Sequence, residues 1–109
     1  SAPLVQRICE FFSLFHVCFK IFPKSERLLG QKTETAILET LEILLSACYS
    51  NKPSKSILLK KVSEKVDFLK YLIRLAFEVK AINLKNYIKL EERLLIAGKM
   101  LGGWIRSLN

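Results

Sequence analysis

The sequence predicts an all-α fold, a single domain built as an antiparallel up-down-up-down bundle of four helices. Apolar residues recur every three or four positions along four long segments, which is the spacing of amphipathic helices. Short breaks containing proline, asparagine or serine separate these segments. The chain has 109 residues, 50% of them apolar, and only 4 glycines and 3 prolines, a composition typical of a compact helical domain. Because the breaks are short, consecutive helices are expected to run antiparallel.

The first half of the chain is predicted to form helices near 4–21 and 25–49. Phe22-Pro23 separates them, because the residue before a proline is disfavoured in the helical conformation. In the first helix, the apolar stripe consists of Leu4, Ile8, Phe11, Phe15 and Phe19 or Cys18. In the second helix, it consists of Leu38, Leu41, Leu45 and Cys48, with Leu44 beside them.

The second half is predicted to form helices near 54–82 and 84–107. Turn residues from Ser50 to Ser54 precede the third helix, and Asn83 can cap the fourth. One face of the third helix carries Leu58, Val62, Val66, Leu69, Ile73 and Ala76. The stripe of the fourth consists of Leu84, Tyr87, Ile88, Leu94, Leu95, Leu101 and Ile105.

The last two helices carry more apolar surface than a monomeric bundle needs. The surplus side chains are Phe68, Leu72, Leu75 and Val79 on the third helix and Ile96, Met100 and Trp104 on the fourth. A second subunit is the simplest cover for them, which predicts self-association. The alternative is an irregular bundle with a few exposed apolar side chains.

No constellation of catalytic or metal-binding residues is evident in the sequence. His16 is the single histidine and lies among phenylalanines, where a buried or half-buried imidazole with a structural role is expected. Cys9, Cys18 and Cys48 lie in apolar stretches without metal-ligand spacing, so we expect buried thiols in a reducing compartment. We therefore expect a protein that is not an enzyme and has no metal or cofactor.

The sequence also predicts a cytoplasmic protein. No apolar segment is long enough to span a membrane, and the run from Ile8 to Phe19 is interrupted by polar residues. That run is followed by Lys20 instead of a small-residue cleavage site, so it is interpreted as a core helix and not as a signal peptide.

The positive charge of the chain is distributed unevenly. Residues 1–50 carry as many acidic as basic side chains, so the formal net charge of +8 lies entirely in residues 51–109. Such a skew indicates a surface that attracts polyanions. The candidate binding residues are Lys61, Lys65, Lys70 and Arg74 on the third helix and Lys85, Lys89 and Arg93 on the fourth. They either contact nucleic acid or keep an apolar oligomer soluble.

One acidic residue lies at an unusual position on the fourth helix. Glu91 falls beside the apolar stripe, where a carboxylate needs a partner. A lysine or arginine on a facing helix is expected to provide it.

Three motifs resemble those of a known family. They are Phe22-Pro-Lys-Ser-Glu-Arg27, Phe68-Leu-Lys-Tyr-Leu-Ile-Arg-Leu-Ala76 and Gly98-Lys-Met-Leu-Gly-Gly-Trp-Ile-Arg-Ser-Leu-Asn109. In order and spacing they resemble the accessory variability determinant (Avd) proteins of diversity-generating retroelements, over nearly the whole chain. A wider resemblance exists to four-helix-bundle proteins encoded in intervening sequences of large-subunit ribosomal RNA genes.

The resemblance implies a specific assembly and role. Avd proteins are encoded by bacteria or phages and form pentameric rings of four-helix bundles with a basic surface. They bind nucleic acid and the reverse transcriptase of the same element, and they support its mutagenic copying of a template repeat. On this basis Lys70 and Arg74 belong to the partner-binding surface. Oligomer or packing contacts are expected at Gly102, Gly103, Trp104, Met100 and Ile96.

The predicted function is therefore that of an accessory protein binding reverse transcriptase, RNA and possibly DNA through phosphate contacts. No aromatic platform for base stacking is evident on the basic face unless Tyr71 serves as one, so sequence specificity is expected from the partner. Two alternatives remain open. One is a protein–protein adaptor without nucleic-acid binding, and the other is a protein of the ribosomal intervening-sequence type.

Overall fold

A computed structural model describes residues 2–109, with side chains from residue 3 onward. These residues form four α-helices and no strand, which confirms the predicted all-helical fold. The helices are α1 (Ala2–Phe19), α2 (Arg27–Cys48), α3 (Lys52–Glu78) and α4 (Leu84–Ser107), with a 3-10 turn at Lys24–Glu26 between the first two. Each helix packs against its neighbours in sequence, and α1 packs against α4. The resulting bundle measures 43 × 21 × 19 Å.

The connections explain where the helices begin and end. Asn51 caps α3, its side-chain oxygen accepting a hydrogen bond from the Ser54 amide at 3.1 Å. Asn83 caps α4 as predicted, with the Asn86 amide as donor at 2.8 Å. α3 starts two residues earlier and ends four residues earlier than predicted. It ends early because Lys80 adopts a left-handed conformation with φ of 65°, which turns the chain towards α4.

The left-handed Lys80 predicts a stabilising substitution. Lys80→Gly is expected to raise the free energy of unfolding by about 0.5–1 kcal/mol, because glycine adopts positive φ without steric cost. Thermal unfolding followed by circular dichroism measures the change. Lys89→Gly, within α4, is the matched control and is expected to destabilise by about 1 kcal/mol. Equal destabilisation by both would contradict this account of the turn.

The core lies between all four helices. The predicted face of α1 is confirmed, and that of α3 is confirmed except at its first residue, because Leu59 is buried and Leu58 is only half-buried. The buried apolar residues of α1 are Leu4, Ile8, Phe11, Phe15 and Cys18. On α3 they include Val62, Val66, Leu69, Leu72, Ile73 and Ala76. Phe15 also contacts Phe22 edge-to-face at the α1–α2 turn, at a centroid distance of 5.7 Å.

The predicted core face of α2 is wrong. Its buried residues are mostly small, namely Gly30, Thr33, Ala36, Ile37, Thr40, Leu44 and Ala47, whereas Leu38 and Leu45 are exposed. Small residues let neighbouring helices approach closely, so the face poorest in leucine becomes the buried one. Two threonines satisfy their hydroxyl groups within the helix, since Thr33 donates to the Leu29 carbonyl and Thr40 to the Ala36 carbonyl, both at 2.7 Å.

The predicted stripe of α4 also needs correction. The buried residues are Leu90, Leu94, Ala97 and Leu101, while Leu84 and Leu95 are 57% and 52% exposed and Ile88 is exposed too. At 100° per residue, Leu84, Ile88 and Leu95 lie about 110–150° from the centre of the buried arc. They form a second apolar face, turned away from the core.

Candidate nucleic-acid interface

A groove between α3 and α4 brings together basic residues from both helices, and we call it the α3–α4 groove. Its first part is a cavity of about 390 Å³ near the α3–α4 turn, lined by Asp67, Lys70, Tyr71, Arg74, Tyr87 and Glu91. Its second part, about 340 Å³, is lined by residues that include Lys70, Gly98, Lys99, Gly102 and Arg106. Asp67 and Lys70 line both parts, so the two cavities adjoin along the helices. Together the adjoining cavities are lined by four cations, namely Lys70, Arg74, Lys99 and Arg106.

Two of these cations are held by carboxylates on their own helix. The Lys70 ammonium lies 3.7 Å from Asp67, and Arg74 Nε donates to Glu78 Oε1 at 2.9 Å. The hydrogen bond with Glu78 raises the pKa of Arg74 above its ordinary value. Because these pairs are exposed, each contributes little to stability and can exchange for a phosphate contact. The groove is therefore able to release its cations to a polyanion.

The other predicted binding residues lie on different sides of the bundle. Arg93 lies 4.0 Å from Glu10, which places it on the α1–α4 side. Lys89 faces the same side, since its charge lowers the pKa of Cys18 on α1, although burial dominates and raises that pKa overall. Lys85 precedes Lys89 by one turn and lies on the same stripe. These three cations are thus separate from the α3–α4 groove.

A third group lies at the boundary of α2 and α3. The Lys65 ammonium donates to Glu39 Oε1 of α2 at 3.1 Å, and Lys61 lies one turn earlier on α3. The seven predicted binding residues therefore do not form one surface. Only Lys70 and Arg74 lie in the α3–α4 groove.

Sequence reasoning missed two residues of the groove. Lys99 and Arg106 line it from α4, one on each side of Gly102. Their spacing of seven residues places them on one face of the helix, and that is the signal that could have identified them. Their placement opposite Lys70 depends on how α4 is rotated in the bundle.

Two glycines of α4, Gly98 and Gly102, line this groove, and their lack of a side chain keeps it open. A β-carbon at Gly102 would meet the Arg106 guanidinium at 3.3 Å, and one at Gly103 would approach it at 3.9 Å. The nearest neighbour of a β-carbon at Gly98 is the Lys70 ammonium, at 4.0 Å. None of the three contacts is with the body of a neighbouring helix. No helix of the same subunit therefore packs closely against Gly102 or Gly103. A contact between subunits at these glycines stays a prediction.

Two of the predicted oligomer residues belong to the subunit's own packing. Met100 and Trp104 are half-buried and pack against the core, which corrects the expectation that they project away from it. The Lys55 ammonium lies 5.8 Å from the centre of the Trp104 ring, within the range of a cation–π interaction. Ile96 is 39% exposed, the most of the three, and a contact with a partner subunit through any of them stays a prediction.

Glu91 lies in the α3–α4 groove without the expected ion pair. Its Oε1 is buried and has no hydrogen-bond partner among the described residues. Desolvation raises the pKa of Glu91, and the charges of Lys70 and Arg74 on the facing helix lower it in part. The facing cations were predicted correctly, but they act through charge and not through a direct hydrogen bond.

Two expectations about the first helix are wrong. His16 is exposed, where it bonds to Glu34 of α2 at 2.6 Å and stacks on Phe12. Cys9 is exposed as well, whereas Cys18 is buried as expected and Cys48 is half-buried. His16 and Cys9 each follow a buried residue by one position and so lie about 100° round the helix from it.

Exposed apolar side chains lie on all four helices and at the turns between them. They are Val17 on α1, Leu28, Leu38 and Leu45 on α2, Ile57, Phe68, Tyr71 and Leu75 on α3, and Leu84, Ile88, Leu95 and Ile96 on α4, with Ile21, Tyr49 and Val79 in the turns. Of the surplus residues predicted on α3, Leu72 is buried and the other three are exposed. Exposed apolar area of this extent is typical of a surface that binds another protein.

The fold and the groove define a class of protein, a small helical bundle with a cationic groove. In residues 3–109, no group of three or more histidine, cysteine or acidic side chains is placed to hold a metal ion. None of the helices described is long and apolar enough to cross a lipid bilayer.

Comparison with known proteins gives the family. A family model described as bAvd-like matches residues 3–108, and the chain belongs to this family. It is therefore an accessory protein of the Avd type. No curated protein sequence matches the chain.

Proposed function

We propose that this protein binds single-stranded nucleic acid in the α3–α4 groove and acts as an accessory factor of a retroelement reverse transcriptase. The placement of Lys70, Arg74, Lys99 and Arg106 around two adjoining cavities between α3 and α4 is the observation that carries the proposal. Membership of the bAvd-like family supports the retroelement context. In this role the protein performs no chemistry itself and supports the mutagenic copying carried out by the enzyme.

Binding is electrostatic in this mechanism. Phosphate groups displace Asp67 and Glu78 from the groove cations and release counterions from the nucleic acid. Contacts of this kind fix position without reading sequence. RNA and single-stranded DNA are therefore both expected to bind.

Self-association multiplies this binding. The exposed apolar faces of α2, α3 and α4 support contacts with further copies of the chain and with the reverse transcriptase. A ring presents several grooves at once, so that a weak groove in each subunit gives high total affinity through avidity. Five subunits are the number implied by the family resemblance.

Salt dependence tests the binding mechanism. Four groove cations predict that affinity for a short single-stranded RNA falls about fiftyfold between about 50 and 200 mM salt. Fluorescence anisotropy of a labelled oligonucleotide measures the change. Affinity that is independent of salt would contradict electrostatic binding.

Two measurements test the rest of the proposal. Co-purification with the reverse transcriptase encoded beside this protein's gene is expected, and its absence would contradict the accessory role. Mass measurement in solution is expected to give an oligomer. Absence of nucleic-acid binding together with retained enzyme binding would favour the protein–protein adaptor.

A further inference from the structure

We propose that the cavity near the α3–α4 turn binds one unpaired base and prefers guanine. This inference rests on the nucleic-acid binding proposed above and adds a base-specific contact to it. The cavity combines an aromatic surface, an unsatisfied carboxylate and two cations. We call it the base cavity, and its lining residues are Asp67, Lys70, Tyr71, Arg74, Tyr87 and Glu91.

Two tyrosines form the aromatic walls of the base cavity. Tyr87 is half-buried and its ring stacks on Phe77, with a centroid distance of 4.5 Å and an interplanar angle of 12°. That stacking holds the Tyr87 ring in place. Tyr71 comes from the facing helix and is 67% exposed, so its ring is available to a ligand. Bases of single strands stack on such rings irrespective of sequence.

Glu91 gives the cavity a hydrogen-bond acceptor. Oε1 of this carboxylate is buried and accepts no hydrogen bond from the described residues, although the side chain lines the cavity. A buried acceptor without a hydrogen bond destabilises the protein, and a hydrogen bond from a ligand removes that penalty. The last torsion of a glutamate is broad, so a rotamer change on binding can bring the buried Oε1 to the cavity beside Oε2. In that rotamer the carboxylate accepts two hydrogen bonds from a ligand.

The charges of the cavity distinguish a base from other ligands. A phosphate alone satisfies Lys70 and Arg74 but gives Glu91 no hydrogen-bond donor, whereas a guanidinium or ammonium group satisfies Glu91 but meets the positive charges of Lys70 and Arg74. A nucleotide satisfies both the carboxylate and the cations of the cavity, since its base edge carries N–H donors and its backbone carries negative charge. The base edge then meets Glu91 while a flanking phosphate meets Lys70 or Arg74.

Guanine fits the carboxylate best among the four bases. Its Watson–Crick edge presents the N1 imino and the N2 amino donors side by side, matching the two oxygens of Glu91. Adenine and cytosine each offer a single amino group on this edge. Uracil offers one imino group flanked by carbonyl oxygens, which a carboxylate repels.

Binding of matched oligonucleotides tests the inference directly. A short oligouridine with one central guanosine is expected to bind at least about fivefold more tightly than the same oligouridine without it. Replacing that guanosine by inosine, which lacks the N2 amino group, is expected to remove most of the gain. Equal affinity for all three would overturn the base site. If the three bind equally but with strong salt dependence, the proposed function stands and only the base site fails. If none binds, nucleic-acid binding itself fails.

Two variants assign the preference to residues. Glu91→Gln is expected to abolish the preference for guanosine and to tighten the binding of oligouridine modestly, because it removes a negative charge beside Lys70 and Arg74. Tyr71→Ala is expected to lower the affinity for both oligonucleotides, with and without guanosine, by about tenfold. Tyr49→Ala is the matched control, because Tyr49 is 90% exposed and lies at the α2–α3 turn, at the other end of the bundle. A Glu91→Gln variant that keeps the guanosine preference would overturn the role of Glu91.

A folding control accompanies the binding measurements. Burial raises the pKa of Glu91, so the ionised carboxylate opposes folding above its unfolded pKa. Glu91→Gln is therefore expected to melt no lower than the parent protein at neutral pH. The difference in melting temperature should narrow as the pH falls and Glu91 becomes protonated. A large loss of stability would show instead that the carboxylate has a structural partner, which contradicts its availability to a base.

Discussion

Replacing Lys70 and Arg74 together by glutamate is expected to lower affinity for single-stranded RNA by about a hundredfold or more at low salt. The change removes two of the four groove cations and puts two negative charges in their place. The slope of log affinity against log salt should also fall to about half, because about two phosphate contacts are lost. Anisotropy titrations at several salt concentrations measure both quantities.

The matched control reverses two cations outside the groove. Lys61→Glu with Lys65→Glu changes the net charge equally, but these residues lie at the α2–α3 boundary. A much smaller loss of affinity for RNA is expected from this control. An equal loss would show that binding depends on net charge and not on the groove.

Glu78→Gln should have the opposite effect and tighten RNA binding, because it removes the carboxylate that holds Arg74. The oligomer should persist in the Lys70 and Arg74 variant, and its loss would show that these residues have a structural role.

Gly30→Ala is expected to destabilise the fold by about 1–2 kcal/mol. A β-carbon at Gly30 would lie 2.8 Å from Cζ of Phe19 and overlap two further atoms of that ring. The ring has little room to move, since it packs against Phe15 and Phe22 with the Arg27 guanidinium 5.8 Å from its centre. The cost of overpacking therefore exceeds the stabilisation of about 1 kcal/mol that alanine gives a helix relative to glycine. Chemical denaturation measures the free energy of unfolding.

Gly98→Ala is the control for helix propensity. Its β-carbon would meet no atom closer than the Lys70 ammonium at 4.0 Å, so the substitution is expected to stabilise by about 0.5–1 kcal/mol. Phe19→Leu is expected to recover part of the stability in a Gly30→Ala background, because the smaller side chain vacates the overlap. If both alanine variants were stabilising, the close packing at Gly30 would not exist in solution.

The fold was largely predictable because its signals are local. Helix periodicity, the proline at position 23 and the Asn83 cap depend on residues near in sequence, and all four helices follow from them. The buried faces of α2 and α4 were not predictable in the same way. Hydropathy marks Leu38 and Leu95 as core residues, yet the bundle buries smaller side chains on α2 and a different arc of α4.

The groove was only partly predictable. Lys70 and Arg74 were identified as binding residues, and the structure places both in the concave surface that we propose as the site. Lys99 and Arg106 were not chosen, because a helical wheel shows which residues share a face but not which helix that face meets. The exposed position of His16 and its contact with Glu34 likewise depend on the packing of α1 against α2.

The sequence by itself determined the number of helices, their approximate bounds and the charge surplus of residues 51–109. These properties depend on composition and on neighbours one or two turns away. Only the tertiary structure decided how that surplus is divided. It separates the seven predicted cations into three groups and places the unsatisfied Glu91 carboxylate beside Lys70, Arg74 and two tyrosines. The physical reason is that the rotation of each helix about its axis is set by close packing of its side chains, large or small, against the neighbouring helices, which a hydropathy pattern does not encode.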